Sequence, residues 1–326
     1  DIPRVFRAAF NQMTTGRPGA AHIALPFDVQ NGSVERADVH GDVSLGRYPA
    51  RRVAPDAYFV ERAAQLLADT AQPVFICGGG VVIARAEKEL LQLAERLSAT
   101  VATTISGKGS ISEEHPLAVG VVGSNGGTQE TRALVDQADL VVFIGCRAGS
   151  VTTERWRHPA PGKVKVIHLD VDPGVLGANY PVDVPLLGDA KLALAALNEA
   201  LATLQRPLEV TAVQKAKEEK FARFHSLASS NDKPIKPERV VSEVAQALDP
   251  DTIVVADAGT PCPYFSAYYK VRSTGRHFFS NRAHGALGYS MSAAIGAHFA
   301  RPQVKCVAVM GDGSFGFTCG ELETAT

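Results

Sequence analysis

The chain has 326 residues, of which 45% are hydrophobic and 21% charged, and its formal net charge is −1. That length makes two domains the default expectation, the near-neutral balance offers no polyanion-binding surface, and no apolar run reaches the roughly 18–20 residues of a membrane span. Nucleic acid and membrane are therefore not expected partners. The five cysteines, Cys77, Cys146, Cys262, Cys306 and Cys319, are scattered and form no Cys-x-x-Cys pair, so neither a disulfide framework nor a zinc site is expected. Reduced thiols in a cytoplasmic protein are the expected state.

Residues 1–30 read as a short helix, a Gly16-Arg17-Pro18-Gly19 turn and a strand from Ala20 to Leu25 closing on Pro26-Phe27-Asp28-Val29, the tail of a domain. Residues 31–56 are polar, lack periodicity and read as a connecting segment. Residues 57–204 alternate strand and helix. Strands are predicted at Pro73–Cys77, Val101–Ile105, Leu140–Ile144 and Val164–Leu169, and helices at Tyr58–Leu67, Ala84–Leu97, Thr131–Ala138 and Lys191–Leu204. Such alternation predicts an α/β, Rossmann-like domain: a parallel sheet with right-handed crossovers and helices on both faces.

Residues 205–237 read as a linker by their polar, proline-bearing end, and carry a charged amphipathic helix over Lys215–Phe224. Residues 238–326 begin a further α/β unit. A helix over Pro237–Leu248 leads to a strand at Thr252–Ala256, a short strand at Phe278-Phe279, a small-residue helix over Gly285–Phe299 and a strand at Val304–Met310. The chain opens and closes inside helix-like segments without start or stop signals, so a piece of a longer protein is expected.

Several turns follow predicted strands. Gly78-Gly79-Gly80 misses the Gly-x-Gly-x-x-Gly spacing, because position 83 is Ile, and a tight turn is the favoured reading. Gly107-Lys108-Gly109 could cradle a phosphate or form a plain loop. Together with Gly145-Cys146-Arg147 and Asp170-Val171-Asp172-Pro173 these turns share one sheet edge, where they could clasp an extended nucleotide such as FAD or serve as loops only. Gly123 to Thr128 precedes a helix whose N-terminus would suit an anion. In the last unit, Asp257-Ala258-Gly259-Thr260 and Gly311-Asp312-Gly313-Ser314 end two strands and would face one crevice. Glycines let a backbone approach a bulky anion, and a carboxylate can hold a hard cation. These residues suggest a Mg²⁺-diphosphate site, the alternative being a strand-to-helix turn with Asp312 as a cap. His284 reads as a capping or structural histidine. Leu287 reads as packing or as a fulcrum under a bent cofactor.

In this order the residues resemble the thiamine-diphosphate-dependent enzymes of the acetolactate synthase, pyruvate oxidase and benzoylformate decarboxylase group. Gly16-Arg17-Pro18-Gly19 through Val29 is similar to the close of that family's pyrimidine-binding domain. Gly107-Lys108-Gly109, Ala138-Asp139-Leu140, Gly145-Cys146-Arg147, His168 to Pro173 and Gly188-Asp189 are similar to its central domain. Gly285 to Tyr289, Ala293 to Ala297 and Gly311 to Phe315 are similar to its diphosphate-binding domain. The resemblance implies thiamine diphosphate and Mg²⁺ as cofactors, with Asp312 on the metal. Gly259, Thr260, Gly313 and Ser314 would lie on the diphosphate, Leu287 would hold the cofactor bent, and Gly285 would offer a carbonyl to its aminopyrimidine.

The reaction implied is carbon–carbon cleavage or ligation on a 2-keto acid, with acetolactate synthase-like carboligation leading. A 2-keto acid decarboxylase or a 2-hydroxyacyl-CoA lyase, taking an acyl-CoA, stands second, and a non-catalytic nucleotide-binding or assembly module is the contrasting class. A homodimer or homotetramer is implied, because the family's site forms between subunits. The activating glutamate would fall upstream of Asp1 and a further metal-ligand asparagine beyond the residues given, so no catalytic residue is assigned in 1–326. Arg147-Ala148-Gly149-Ser150-Val151 departs from the acidic pair that acetolactate synthases carry after this arginine, which weighs against FAD and against acetolactate synthesis.

Overall fold

A computed structural model of the chain describes residues 1–33, 35, 41–281 and 284–326. Val34 and residues 36–40 of the expected connecting segment, and Arg282 and Ala283 ahead of Gly285, lie outside the described residues. Among the described residues nine strands form two parallel sheets. The first holds β1 (Pro73–Cys77), β2 (Thr100–Thr103), β3 (Ala118–Val121), β4 (Leu140–Ile144), β5 (Lys165–Asp170) and β6 (Val184–Leu187), in the order β3-β2-β1-β4-β5-β6. The second holds β7 (Ile253–Ala256), β8 (Phe278–Phe279) and β9 (Cys306–Val309), in the order β8-β7-β9. The α/β class and parallel pairing expected from the sequence are those of the structure.

The strand residues explain the layering. Every residue of Pro73-Val-Phe-Ile-Cys77 and of Leu140-Val-Val-Phe-Ile144 is buried, as expected for central parallel strands covered on both faces. Side chains alternate between two cores. Phe75, Cys77, Val142, Ile144, Ile167 and Leu169 face one side, against the helices Ala57–Ala68, Glu87–Leu97 and Ala190–Ala200. Val74, Ile76, Val141, Phe143 and Val166 face the other, against the helices Gln129–Asp136 and Thr211–Ala228. Each fully buried Leu, Ile or Phe contributes about 1.5–3 kcal/mol of transfer free energy. In the helix Glu87–Leu97 the buried Leu90, Leu93, Ala94 and Leu97 fall at helical spacing on one face.

The helix Thr211–Ala228 ties the two sheets together. Val213 and Ala216 enter the core of the six-stranded sheet, whereas Phe224 and Ala228 enter the core under the three-stranded one with Val241, Val254 and Phe265. Phe224 stacks on Tyr268 at 4.7 Å between ring centres.

Several elements differ from the expectations. Ala20–Leu25 forms no strand, since an extended segment needs a neighbour to pair with and none stands beside it among the described residues. The helix expected over Ala84–Leu97 begins at Glu87, and a separate helix, Gly79–Ala84, stands ahead of it over the stretch read as a glycine turn, the two parted at Arg85 in the left-handed region (φ 55°). The strands β3 and β6 lie outside the runs that the sequence pattern predicts as strands. Both are four-residue edge strands interrupted by Gly120 and Pro185, residues that weaken a strand pattern and are tolerated at a sheet edge. The helix Pro261–Tyr268 was hidden by its two prolines, of which Pro261 occupies the first helical position, where it is favoured. The small-residue helix begins at Tyr289 rather than Gly285, and the last strand spans only Cys306–Val309 of the expected Val304–Met310.

Candidate functional site

Two strand-end edges carry the candidate residues. In the six-stranded sheet the strand order reverses between β1 and β4, the place where open α/β sheets take ligands. A cleft of about 580 Å³ opens there, lined by Gly78–Gly80, Gly145–Arg147 and Asp170 and closed over by Arg17, Tyr48 and Arg51. The glycines of this edge answer to the fold itself. Gly78 N–H donates to Ile144 O at 2.8 Å and Gly80 N–H to Gly145 O at 3.1 Å. A Cβ on Gly78 would stand 2.1 Å from Gly145 O. In place of the expected tight turn, Gly78 is the N-cap of the helix Gly79–Ala84, whose first residues pack on the backbone of Gly145. Arg147 lines the cleft, is exposed, and forms no ion pair among the described residues, so its guanidinium is available to an anionic ligand.

Gly107-Lys108-Gly109 resolves to the structural alternative. Lys108 is 1% exposed, pairs with Glu113 at 2.5 Å and donates to Ser266 O at 3.2 Å. Burial pushes its ammonium below the ordinary lysine value, and Glu113 pulls it back. The lysine therefore pins the loop onto the second sheet's helix and faces no phosphate. Gly123 to Thr128 leads into the helix Gln129–Asp136, where Thr131 Oγ1 accepts from Thr128 N at 2.9 Å and Thr128 Oγ1 has no hydrogen-bond partner among the described residues.

Several residues of the resemblance hold the fold. Asp139 accepts from Ala71 N and Gln72 N at 2.7 and 2.9 Å, fixing the entry to β1. Asp189 caps the helix Ala190–Ala200 and takes both oxygens' contacts from Arg52 at 2.7 and 2.8 Å. His168 is buried in β5, with Nε2 against Cys146 O at 2.8 Å and no partner for Nδ1 among the described residues. Burial lowers its pKa from the ordinary 6.5, opposed by the Cys146 carbonyl and Asp170. The unfolded chain thus binds a proton that the native state refuses, so stability is fully present above about pH 6.5 and drains as pH falls toward the lowered native value. Burial shifts neighbouring Asp170 upward, which acts in the opposite sense nearer the carboxylate range. The urea midpoint is expected to drop between about pH 7.5 and about pH 5.5, with a shallower drop in His168→Phe.

The second edge is that of β7 and β9, adjacent parallel strands with Ala256 opposite Val309. The helices Pro261–Tyr268 and Asp312–Thr318 begin at their ends, and neither has a side-chain cap. At Asp312–Thr318 this leaves the Asp312 and Ser314 N–H groups open to an anion, whereas in Pro261–Tyr268 the prolines at 261 and 263 carry no N–H and Cys262 N–H donates to Gly259 O at 3.2 Å. Asp312 and Gly313 are exposed, Ser314 is buried, and Asp312 Oδ1 accepts from Gly313 N at 2.8 Å. The capping alternative is thus met in part, since one carboxylate oxygen turns back onto the first turn while the side chain stays open to solvent. Leu287, 48% exposed, reaches over Gly259, where a Cβ would lie 3.7 Å from its Cδ2. Thr260 is exposed at the start of its helix, and Gly285 is half-buried with φ +72°. His284 is exposed, with its N–H on Asn281 O.

The decisive contrast is between glycines. At Gly311 and Gly313 a Cβ would meet nothing within 4 Å, and at Gly259 only ordinary contacts. None of the three has a positive φ. Nothing in the described fold requires glycine at these positions, nor at Gly296, Gly316 or Gly320, where a Cβ would likewise meet nothing; what sets the trio apart is its place at the ends of β7 and β9, where a ligand could lie against the backbone.

Comparison with known proteins settles the family. The family model for the thiamine pyrophosphate enzyme central domain matches residues 60–197, and that for the C-terminal thiamine pyrophosphate-binding domain matches residues 257–326. The chain belongs to the thiamine pyrophosphate enzyme family. It is 37% identical over 332 residues to a probable acetolactate synthase large subunit of Methanocaldococcus jannaschii, covering 99% of this chain and 55% of that protein. A probable acetolactate synthase large subunit of Methanococcus aeolicus is 35% identical over 99% of the chain and 56% of that protein. An acetolactate synthase of Mycobacterium leprae is 31% identical over 99% of the chain and 52% of that protein. The chain spans about half the length of these curated relatives.

In this family member one residue of the strand-end turn Asp257-Ala258-Gly259-Thr260 has a role that the sequence does not assign it. Asp257, fully buried at the end of β7, accepts from Gly288 N with Oδ2 and from Ser290 N with Oδ1, each at 3.1 Å. It holds the start of the helix Tyr289–Ala300 and, through it, Leu287. The available signal was an aspartate between an apolar strand and Gly-Thr. Gly288 is required by the fold, with φ +86° and a would-be Cβ 3.1 Å from Ser314 O. Among the described residues no group of three or more His, Cys, Asp or Glu could hold a metal, and no helix is long and apolar enough to cross a membrane.

Proposed function

We propose that this chain forms the central domain and the diphosphate-binding wall of a thiamine-diphosphate- and Mg²⁺-dependent enzyme. Its reaction is carbon–carbon bond formation or cleavage on a small 2-keto acid, with acetolactate synthase-like carboligation as the leading form. The observation that carries the reading is the trio Gly259, Gly311 and Gly313, glycines the described fold does not need, placed at the ends of two adjacent strands. The donor set fits the cofactor. Mg²⁺ commonly takes one or two carboxylates and completes its shell with phosphate oxygens and water, so a lone exposed Asp312 is adequate on the protein side.

In this reading Asp312 holds the metal, and the N–H groups of Gly313 and Ser314 with the Thr260 hydroxyl donate to the diphosphate. Gly259 leaves room for it, and Leu287 supports the bend. The Gly285 carbonyl accepts from the aminopyrimidine. When bound, thiamine diphosphate supplies the electron sink for loss of CO₂ and the carbon nucleophile for ligation. Leu287, an apolar side chain at the mouth of the edge, limits water there. No residue of 1–326 is assigned as acid or base.

A nucleotide in the central cleft is a second part of the proposal; FAD is one candidate, against which the departure of Arg147-Ala148-Gly149-Ser150-Val151 from the acetolactate synthase pattern weighs. A nucleotide there is favoured by the cleft's place at the strand-order reversal and by Arg147, which forms no ion pair among the described residues. A homodimer or homotetramer in the cytoplasm is the proposed setting. The test is incubation of the full-length protein with pyruvate, thiamine diphosphate and Mg²⁺. Acetolactate together with CO₂ is expected. CO₂ without acetolactate would point to a decarboxylase, and cofactor binding without either product to a non-catalytic module. A yellow chromophore on purification would report flavin.

A further inference from the structure

One glycine of the second edge is gripped from two elements at once. Gly288 N–H donates to Asp257 Oδ2, and Gly288 O accepts from the Thr318 hydroxyl, each at 3.1 Å. Asp257 ends β7 just ahead of the Gly259-Thr260 turn, and Thr318 is the last residue of the helix Asp312–Thr318. The Thr318 methyl packs on the same glycine, where a Cβ would stand 2.7 Å from Thr318 Cγ2 and 3.1 Å from Ser314 O. Helix positions i and i+4 share a face. The face carrying Ser314 and Thr318 is therefore the one that rests on Gly288.

The consequence falls on Leu287, the residue before it. Leu287 is 48% exposed, with Cδ2 over Gly259, so its own packing holds it only lightly. Its height over the edge is set by the backbone on either side. Ahead of it, Asn281 Nδ2 donates to Ala286 O at 3.1 Å; behind it stands the grip on Gly288. The helix Asp312–Thr318 acts as a strut between two tasks. Asp312 is its first residue, and Thr318 lies about 9 Å further along its axis.

We propose that Thr318 is a positioning residue: through Gly288 it carries the placement of the Asp312 helix to Leu287, so that a metal-diphosphate seated on Asp312 also sets the apolar support of the cofactor's bend. The inference rests on the cofactor reading above and names the residue that links its two halves. The hydroxyl is what matters. Valine keeps the volume and leaves Gly288 O without that donor, whereas serine keeps the donor and gives up the methyl contact.

The experiment loads the full-length protein with thiamine diphosphate and Mg²⁺ and follows two quantities. Calorimetry gives the dissociation constant, which reads the diphosphate contacts. Quenched-flow NMR gives the exchange of the thiazolium C2 hydrogen for deuterium, which reads the bend that brings the cofactor's amino group to it. Thr318→Val is expected to slow the exchange about tenfold, the upper value of one lost hydrogen bond, with the dissociation constant nearly unchanged. Thr318→Ser should exchange close to the wild-type rate. In a Leu287→Ala background, Thr318→Val should slow exchange no further, because the two act as one unit. Should the valine variant not fold, Thr318→Cys, a weaker donor, should slow exchange in the same direction by less. Unchanged exchange in Thr318→Val, equal losses of binding and exchange, or full additivity with Leu287→Ala would overturn the proposal and leave Thr318 as packing for its helix. In each of those cases wild-type binding stands. A wild type that binds no cofactor would instead remove the cofactor reading, and this proposal with it.

Discussion

Asp257→Ala is expected to destabilise the unit built on β7, β8 and β9 by about 2–5 kcal/mol. The carboxylate is fully buried and each oxygen accepts one N–H, from Gly288 and from Ser290. Removing it strands two buried donors, at about 1–3 kcal/mol each. The stabilisation an anion lends a helix N-terminus is lost as well. Asp257→Asn keeps one acceptor oxygen and should fall between. Because Gly288 follows Leu287 directly, the loss should also loosen the edge where the cofactor is proposed to lie. Urea unfolding and limited proteolysis of the full-length protein would read this as early cleavage near Tyr289–Ala300. Unchanged unfolding in the alanine variant would mean that Asp257 is not the anchor of that helix.

Gly78→Ala is the second large effect. The added methyl would stand 2.1 Å from Gly145 O, 2.7 Å from Gly145 C and 2.8 Å from Cys146 Cα, all of them backbone. No rotamer change can relieve that contact, so β1 and β4 must part at their ends. A loss of about 3 kcal/mol or more is expected, at or above the usual range for overpacking. The cleft between the strands should open with it. Gly313→Ala is the counter-case. A Cβ there meets nothing within 4 Å, and the position lies in a helix, where alanine is favoured over glycine by up to about 1 kcal/mol. Its stability should hold or rise slightly while affinity for thiamine diphosphate falls. Matched thermal midpoints and cofactor titrations of the two variants would show opposite patterns, and parallel losses in both would contradict the distinction between packing glycines and ligand glycines.

Much of this was legible in the sequence, for physical reasons that differ by element. The apolar runs Pro73–Cys77 and Leu140–Ile144 are buried on both faces and so announce themselves as central strands. The edge strands β3 and β6 carry Gly120 and Pro185 because an edge tolerates them, and the same residues hide them from pattern reading. Turn motifs were harder. Gly-rich turns that pack backbone against backbone look the same in sequence as turns that admit a ligand. Gly78 and Gly313 separate only when the neighbours of a would-be Cβ are known. Lys108 shows the same limit, since its phosphate-cradling context is spent on Glu113, a pairing that depends on how the loop turns back. Asp139 and Asp189, prominent in the family resemblance, serve strand entry and helix capping.

The central claim is that the end of β9 presents a metal-diphosphate site through Asp312. Calorimetric titration of the full-length protein with thiamine diphosphate and Mg²⁺, in the wild type and in Asp312→Ala, tests it directly. Saturable, Mg²⁺-dependent binding in the wild type, weakened at least about a hundredfold in Asp312→Ala, about 2.7 kcal/mol, is the predicted result. Equal affinity in both proteins, or wild-type binding indifferent to Mg²⁺, would contradict it.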